Sequence, residues 1–298
     1  MIARKSTLFI LLFLLSQVAM AQDDLLKMLE DETEKDKKPD YTTATFKTTR
    51  LINGHSVENV AGGVLDFRIS HRFGYINSGL YEFFGLDQAT TRLGLDYGLT
   101  NRWMIGIGRS TFEKQLDGFT KYKLIRQSSG AKKTPVTVSL MAAMVYKTIK
   151  PSTTDRENFK TSNLYYTYQI LVARKFNESL SLQLMPSMNH YNLVPGTTLP
   201  NDFFSLGFGG RLKVSKRVTI NAEYYYQFPN SKLPDTTNSL GIGVDIETGG
   251  HVFQLYLTNS TGMTERSFIT ETTGDFLKGE IHFGFCISRV FTIRDPRK

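Results

Sequence analysis

The run Leu93-Gly94-Leu95-Asp96-Tyr97-Gly98-Leu99 is followed by the turn Thr100-Asn101 and then by Trp103-Met104-Ile105-Gly106-Ile107-Gly108. Both runs alternate at period two, apolar against charged or glycine. That is the signature of a strand with two different faces, since successive side chains point to opposite sides. The two-residue polar turn between them reads as a hairpin. The alternation is peculiar in one respect. The face opposite the apolar one carries glycines beside charges, whereas a solvent face usually carries long polar side chains.

The same pattern recurs along the chain. Leu65, Phe67 and Ile69 oppose Asp66, Arg68, Ser70 and Arg72 within 63–73. Segments of the same kind follow around 120–124, 136–144, 164–172, 180–189, 204–213, 218–224, 240–246, 251–259 and 280–290, twelve segments in all. Short polar turns sit at Thr100-Asn101, Phe176-Asn177-Glu178, Ser215-Lys216 and Thr248-Gly249-Gly250, with a longer one over 128–134. Between them lie longer connections near 74–88, 110–117, 148–160, 191–201, 229–238 and 261–277. Turns on one side and loops on the other, with an even strand number, predict an all-β fold: a transmembrane antiparallel up-and-down barrel of twelve strands. A strand in lipid cannot leave backbone groups unpaired, so such a sheet must close. A secreted β-sandwich or lipocalin-like barrel also alternates, with the apolar face inside. The glycine-rich polar face favours the membrane barrel. So do aromatics near strand ends (Tyr81, Phe83, Phe84, Trp103, Tyr191, Phe203, Phe204, Tyr224, Tyr225, Tyr226, Phe228 and Phe291), where interfacial girdles form.

The ends of the chain read differently. Arg4 and Lys5, the apolar run 8–15 and Ala19-Met20-Ala21 form a secretory signal peptide over 1–21, with Gln22 as the expected first mature residue. Residues 22–40 hold eight acids and four lysines, and 22–62 is expected to be an acidic periplasmic segment. Within it Thr42–Ser56 alternates weakly and is assigned to the periplasm or the lumen, as a plug or docking stretch, because a thirteenth strand would break the parity of the termini. The barrel is expected over 63–293 and a basic periplasmic tail over 294–298. The chain carries a formal +8, but from residue 41 onward there are 30 bases against 20 acids, so an acidic leader masks a basic barrel.

Several motifs carry a resemblance. The run 63–74, Phe84 to Ala89 with Arg92 to Gly98, Gly106 to Ser110, and Lys278 to Phe285 with Ser288-Arg289 are similar to a family of uncharacterised outer-membrane β-barrels from Bacteroidota. The resemblance covers roughly 43–293 and implies a single barrel in the outer membrane of a Gram-negative bacterium, without supplying an activity.

The chemistry available is limited. The single Cys286 excludes an internal disulfide and multi-cysteine metal sites, and near-average composition excludes collagen and wholesale disorder. Gly207-Phe208-Gly209-Gly210 lies within a strand and is no phosphate loop. The five histidines show no metal spacing, so no metal and no cofactor is implied. Ser70, His71 and an asparagine such as Asn189 could make a lipid hydrolase only if they met, and parity sends Ser70 and His71 to opposite faces. The chain therefore reads as a non-enzyme with no catalytic residue assigned.

The expected functional set is the inward charge: Asp66, Arg68, Arg72, Arg92, Asp96, Lys121, Lys123, Arg211, Lys213, Glu223 and Asp245, with Glu247. Pairs Asp66–Arg68 and Arg92–Asp96 suggest an ion-pair ladder, because unpaired charges there would cost several kcal/mol. Either this network fills a narrow barrel or it lines a small, anion-leaning path. The expected partners are outer-membrane lipid and a periplasmic protein bound through 22–62, with no nucleic acid.

Overall fold

The structure is a computed structural model; it describes residues 38–149, 159–196 and 198–294. The expected signal peptide, the leader up to residue 37 and the tail 295–298 lie outside the described residues. Twelve strands form the barrel: β2 (Val64–Tyr75), β3 (Ala89–Gly98), β4 (Trp103–Ser110), β5 (Gln115–Ile125), β7 (Thr137–Lys147), β8 (Leu164–Lys175), β9 (Leu180–Tyr191), β10 (Asp202–Lys213), β11 (Val218–Gln227), β12 (Ser239–Thr248), β13 (His251–Thr258) and β14 (His282–Thr292). Each pairs antiparallel with its sequence neighbours, and β14 pairs with β2, so the sheet closes. The expected architecture is therefore the observed one. A separate small unit is a ribbon in which β1 (Pro39–Tyr41) pairs with β6 (Ser128–Gly130).

The pleat sorts the side chains as the alternation predicts. Leu93, Ile105, Ile107, Leu182, Phe208 and Ile242 point outward, and Ile107 is 63 % exposed. Asp96 and Lys121 point inward and are 0 % exposed. An apolar exterior around a polar interior inverts the soluble-barrel pattern. An exposed apolar band of this extent is stable only against lipid. Among the described residues no helix is long and apolar enough to cross a membrane. Strands of 8 to 12 residues suit that task.

Turns cluster at one end of the barrel. There Gly63 also joins the two ends of the barrel sequence, its carbonyl accepting from the amides of Ile293 and Arg294, both at 2.9 Å. Longer loops occupy the opposite end. The β4–β5 connection is shorter than expected, because Gln115 already belongs to β5. Not all the expected girdle aromatics face out. Trp103, Phe204, Tyr224, Tyr226, Phe228 and Phe291 do, but Tyr191, Phe203 and Tyr225 are buried inside. The error has a physical cause: runs such as Tyr224-Tyr225-Tyr226 place neighbours on opposite faces, and one of each pair must enter the lumen.

A plugged lumen as the candidate functional site

The interior is occupied by the chain itself. Residues 44–62 enter from the turn end and form a hairpin-like turn. The Leu51 amide donates to the Gly54 carbonyl at 2.8 Å, Ser56 donates to Thr49 at 3.0 Å, and Arg50 bridges His55. From the loop end, residues 260–272 fold inward and carry α1 (Glu265–Thr270), all six residues of which are buried. The two segments meet in an apolar cluster of Phe46, Leu51, Val57, Leu171, Ala173, Met185, Tyr225, Phe268 and Ile269. Within Thr42–Ser56 no barrel strand forms: Thr43 and Ala44 are exposed, and from residue 45 onward nearly every side chain is buried in the lumen, which accounts for the weak alternation.

Wall side chains hold the inner segment chiefly by its backbone. Glu223 on β11 accepts the amides of Ile52, Asn53 and Gly54 at 3.2, 2.8 and 3.0 Å. Lys121 on β5 donates to the carbonyls of Ser56 (2.8 Å) and Glu58 (2.6 Å). Arg211 on β10 donates to those of Ala44 (2.5 Å) and Thr45 (2.8 Å). Gln183 on β9 donates to the His55 carbonyl at 2.7 Å and accepts from the Val57 amide at 2.9 Å. Gln254 on β13 donates to Leu51 at 3.1 Å. An irregular buried segment must find partners for every amide and carbonyl, and here the wall provides them.

The glycines on the polar face are sockets for these contacts. Glu223 stands between Gly209 on β10 and Gly241 on β12. A Cβ on Gly209 would overlap a methyl of Leu51, and one on Gly241 would come within 3.1 Å of Ile52. Gly54 must also lack a side chain, because a Cβ there would overlap the Tyr225 hydroxyl. Gly94 and Gly108 flank Arg92 in the same way and leave room for its guanidinium.

The expected ion-pair ladder is corrected in part. Arg68 lies 3.5 Å from Asp66, as expected. It also donates to Gln254 at 3.0 Å and approaches the Cys286 Sγ at 3.3 Å. Arg92 does not pair with Asp96. It pairs with Asp117 on β5, with Nε 3.0 Å from one carboxylate oxygen. Asp96 instead lies 3.8 Å from Arg50 of the inner segment. Lys123 reaches Glu58 at 3.5 Å, and Lys47 pairs with Glu247. Asp245 accepts from Gln254 at 2.9 Å, while Lys213 is half-buried near the turn end. The sequence reading missed Asp117 because it began that strand at residue 120. It also missed Gln183 and Gln254, which inward parity would have flagged.

A second clamp joins the two inserted segments to each other. Arg72 on β2 donates to the carbonyls of Ser260 and Gly262, both at 2.6 Å, and to the Asn53 side chain. His55 Nδ1 accepts from Arg50 at 2.6 Å, and its Nε2 lies 3.1 Å from Glu265 of α1 without the alignment of a hydrogen bond. Burial, and then the cations Arg50 and Lys121, push the His55 pKa well below the ordinary histidine value, so the ring is neutral at pH 7. Its Nδ1 accepts, so the proton sits on Nε2, towards Glu265.

The loop-end mouth has its own lock. Arg266 of α1 lies over the rings of Tyr165 (3.9 Å) and Tyr191 (5.4 Å) and pairs with Glu113 at 2.7 Å and with Glu271. Lys147 completes the group on Glu113. Burial alone would raise the Glu113 carboxyl, but Arg266 and Lys147 outweigh it and hold the pKa at about 2.

Ser70, His71 and Asn189 are not assembled. The Ser70 hydroxyl lies 3.4 Å from Cys286 Sγ, His71 stacks on Phe285, and the Asn189 carbonyl oxygen accepts from Thr167 at 2.6 Å. Among the described residues no cluster of metal-ligating side chains occurs.

These features define a membrane-spanning β-barrel whose lumen is filled by its own chain. The chain belongs to the membrane bound beta barrel domain family DUF5777, whose model matches residues 46–291. The matched region begins inside the lumen segment, ahead of the first strand of the barrel. No curated protein matches the chain. Among solved structures it is similar to the NanC porin, at 10 % identity over 76 % of this chain and 98 % of that one (TM-score 0.47). It is similar to the KdgM porin in complex with disordered oligogalacturonate, at 10 % identity over 76 % and 99 % (TM-score 0.48). It is also similar to the COG4313 outer membrane channel from Pseudomonas putida F1, at 12 % identity over 79 % and 98 % (TM-score 0.47). The barrel assignment rests on this chain's own strand pairing.

Proposed function

We propose that the protein is an outer-membrane conduit for small solutes, held closed at rest by residues 44–62. The observation that carries this reading is the manner of closure. The plug is continuous with the N-terminal leader, enters from the end that bears both barrel termini, and is held by separable polar contacts. In this reading the turn end faces the periplasm, as short turns do in bacterial barrels. The signal peptide 1–21 is cleaved, the source lies among Bacteroidota, and a periplasmic partner acting on 22–40 draws the plug. Surrounding lipid is the other partner.

Withdrawal would free Lys121, Lys123 and Arg211 and take Asn53 from Arg72, which keeps the carbonyls of Ser260 and Gly262, and among the acids it would free Glu223, Asp96 and Glu247. The opened path therefore leans towards anions, though slightly, because Asp117 adds an acid to the wall. The test is planar-bilayer recording of the full chain beside Glu223→Gln and Lys121→Met. Rare openings in the wild type, frequent ones in the variants and a reversal potential displaced towards chloride are expected. Silent bilayers for all three proteins at every voltage would overturn the conduit.

A platform role is the second reading, favoured by the direct continuity of the leader with the plug. It expects loss of a co-purifying periplasmic protein on deletion of 22–40, with the barrel still folded. Unchanged pull-downs would reject it.

A further inference from the structure

The contacts between wall and plug differ by kind. Those to the plug backbone, from Glu223, Lys121, Arg211, Gln183 and Gln254, span 2.5 to 3.2 Å. Those to plug side chains are mostly longer. Arg68 to Thr49 and Thr49 to Asp96 are 3.4 Å, Asn53 to Thr258 is 3.4 Å, Lys123 to Glu58 is 3.5 Å and Arg50 to Asp96 is 3.8 Å. The exceptions lie at Asn53 and Lys47, where Arg72 and Glu247 engage closely. Carboxylate, ammonium, guanidinium and amide groups on five strands are thus placed to read amides and carbonyls, the one feature common to all peptides. Gly209 and Gly241 leave the space in which a turn can approach the wall.

We propose that the lumen is a binding site for polypeptide main chain, and that a second peptide folded as a turn can take the place of residues 44–58. The ligand class is a short peptide of largely arbitrary sequence with a small residue at the turn. This rests on the conduit reading and names the ligand class of the same site. Specificity comes from the turn, where Gly54 meets Tyr225 and Leu51 enters the apolar cluster. Of the flanking residues, Phe46 and Val57 also enter the apolar cluster and Lys47 pairs with Glu247, and the others are read chiefly through their backbone. A peptide held this way needs its N–H groups at the positions of 52, 53, 54 and 57, since Glu223 and Gln183 accept from them.

The experiment uses the full chain with its plug weakened from the plug side, Leu51→Asp, so the wall stays intact. Gly54→Val, whose added side chain would overlap the Tyr225 hydroxyl, serves as a second plug-side variant if the first does not fold. Three fluorescein-labelled synthetic peptides are followed by anisotropy: residues 42–60 in native order, the same peptide with the side chains of 43–49 and 56–59 shuffled but Phe46, Lys47 and Val57 kept in place, and the native peptide N-methylated at 52, 53, 54 and 57. The first two are expected to bind within about threefold of each other and the third at least about tenfold more weakly, the loss expected of one or more charge-assisted hydrogen bonds. Binding of the native peptide but not the shuffled one, equal binding of the N-methylated one, or binding of none would overturn the proposal. Conductance of the same variant without peptide separates the two readings. Current without peptide binding sinks this inference and leaves the conduit standing, and peptide binding without current does the reverse.

Discussion

Replacing Glu223 by Gln should loosen the plug by a calculable amount. The carboxylate accepts three amides, two on one oxygen (Ile52 at 3.2 Å, Gly54 at 3.0 Å) and one on the other (Asn53 at 2.8 Å). A glutamine of the same shape offers one oxygen. If that oxygen keeps Ile52 and Gly54, its amide nitrogen faces the Asn53 N–H, donor against donor. Two bonds fall from the charged to the neutral class, about 1 kcal/mol each, and the third is lost outright at about 1.5–3 kcal/mol. Removing a buried charge returns part of this, since a carboxylate inside the barrel carries a desolvation cost that a neutral amide largely escapes. The net is about 2–3 kcal/mol against the seated plug, which corresponds to about a 30- to 150-fold rise in the withdrawn population. Amide hydrogen exchange over residues 50–55 reads that population directly, because exchange at these buried groups requires the seat to open. The exchange should accelerate by the same factor, while amides of the barrel strands keep their rates. Glu247→Gln is the control: it removes a carboxylate that pairs with Lys47 at a half-exposed position and should change exchange at 50–55 by less than about threefold. An unchanged rate in Glu223→Gln would refute the argument that this carboxylate holds the turn.

Other consequences follow from the same geometry. Withdrawal returns His55 to solvent and to its ordinary value near 6.5, so the withdrawn state binds the extra proton. Open probability should therefore rise as pH falls below about 6.5, and His55→Gln should abolish that rise in bilayer recordings. Burial, and then Arg50, Lys121, Arg92 and Arg68, oppose the charged ring in the seated state, with Glu265 3.1 Å from its Nε2. The mouth lock behaves differently with acid. The depressed Glu113 value means that its contribution is full above the ordinary carboxyl range and lost as pH falls towards about 2, so protease cleavage of loop 259–281 should stay slow at pH 5 and accelerate only below about 4. Arg266→Met should expose that loop at neutral pH, since it removes the cation shared by Glu113 and Glu271 and leaves Glu113 with Lys147 alone; an unchanged cleavage rate would show that the remaining contacts of α1 suffice to hold it. Gly108→Val should destabilise the hairpin β3–β4, because the added side chain would occupy the space of the Arg92 guanidinium; a change in thermal midpoint of under about 1 °C would contradict this.

The relation between sequence and structure is uneven for a reason visible in particular residues. Period-two alternation is a local property, so the twelve strands and the faces of Leu93, Asp96, Ile107, Lys121 and Glu223 were legible along the chain. Closure followed as well, because a lipid-facing sheet with free edges would leave backbone groups unpaired. The inward set was legible for the same reason, and its members do enter the lumen, Lys123 and Lys213 less deeply than the rest. Their partners were not legible. Arg92 meets Asp117 rather than Asp96 because pairing depends on side-chain reach across β4, over the gap left by Gly108, and not on separation along β3. The glycines signalled an unusual inner face, but only the packed structure shows that Leu51, Ile52 and the Arg92 guanidinium fill the spaces they leave. Least legible of all was the plug. Residues 44–62 are bound through backbone atoms by Glu223, Lys121, Arg211, Gln183 and Gln254, and backbone atoms carry no sequence signature. By itself the sequence determined a closed, membrane-spanning antiparallel barrel with a charged, glycine-rich interior, because those properties are written in local alternation. Only the tertiary structure decided that the interior is occupied, by which segments, and by what contacts, because those depend on groups far apart along the chain, most of the wall-to-plug pairs more than a hundred residues.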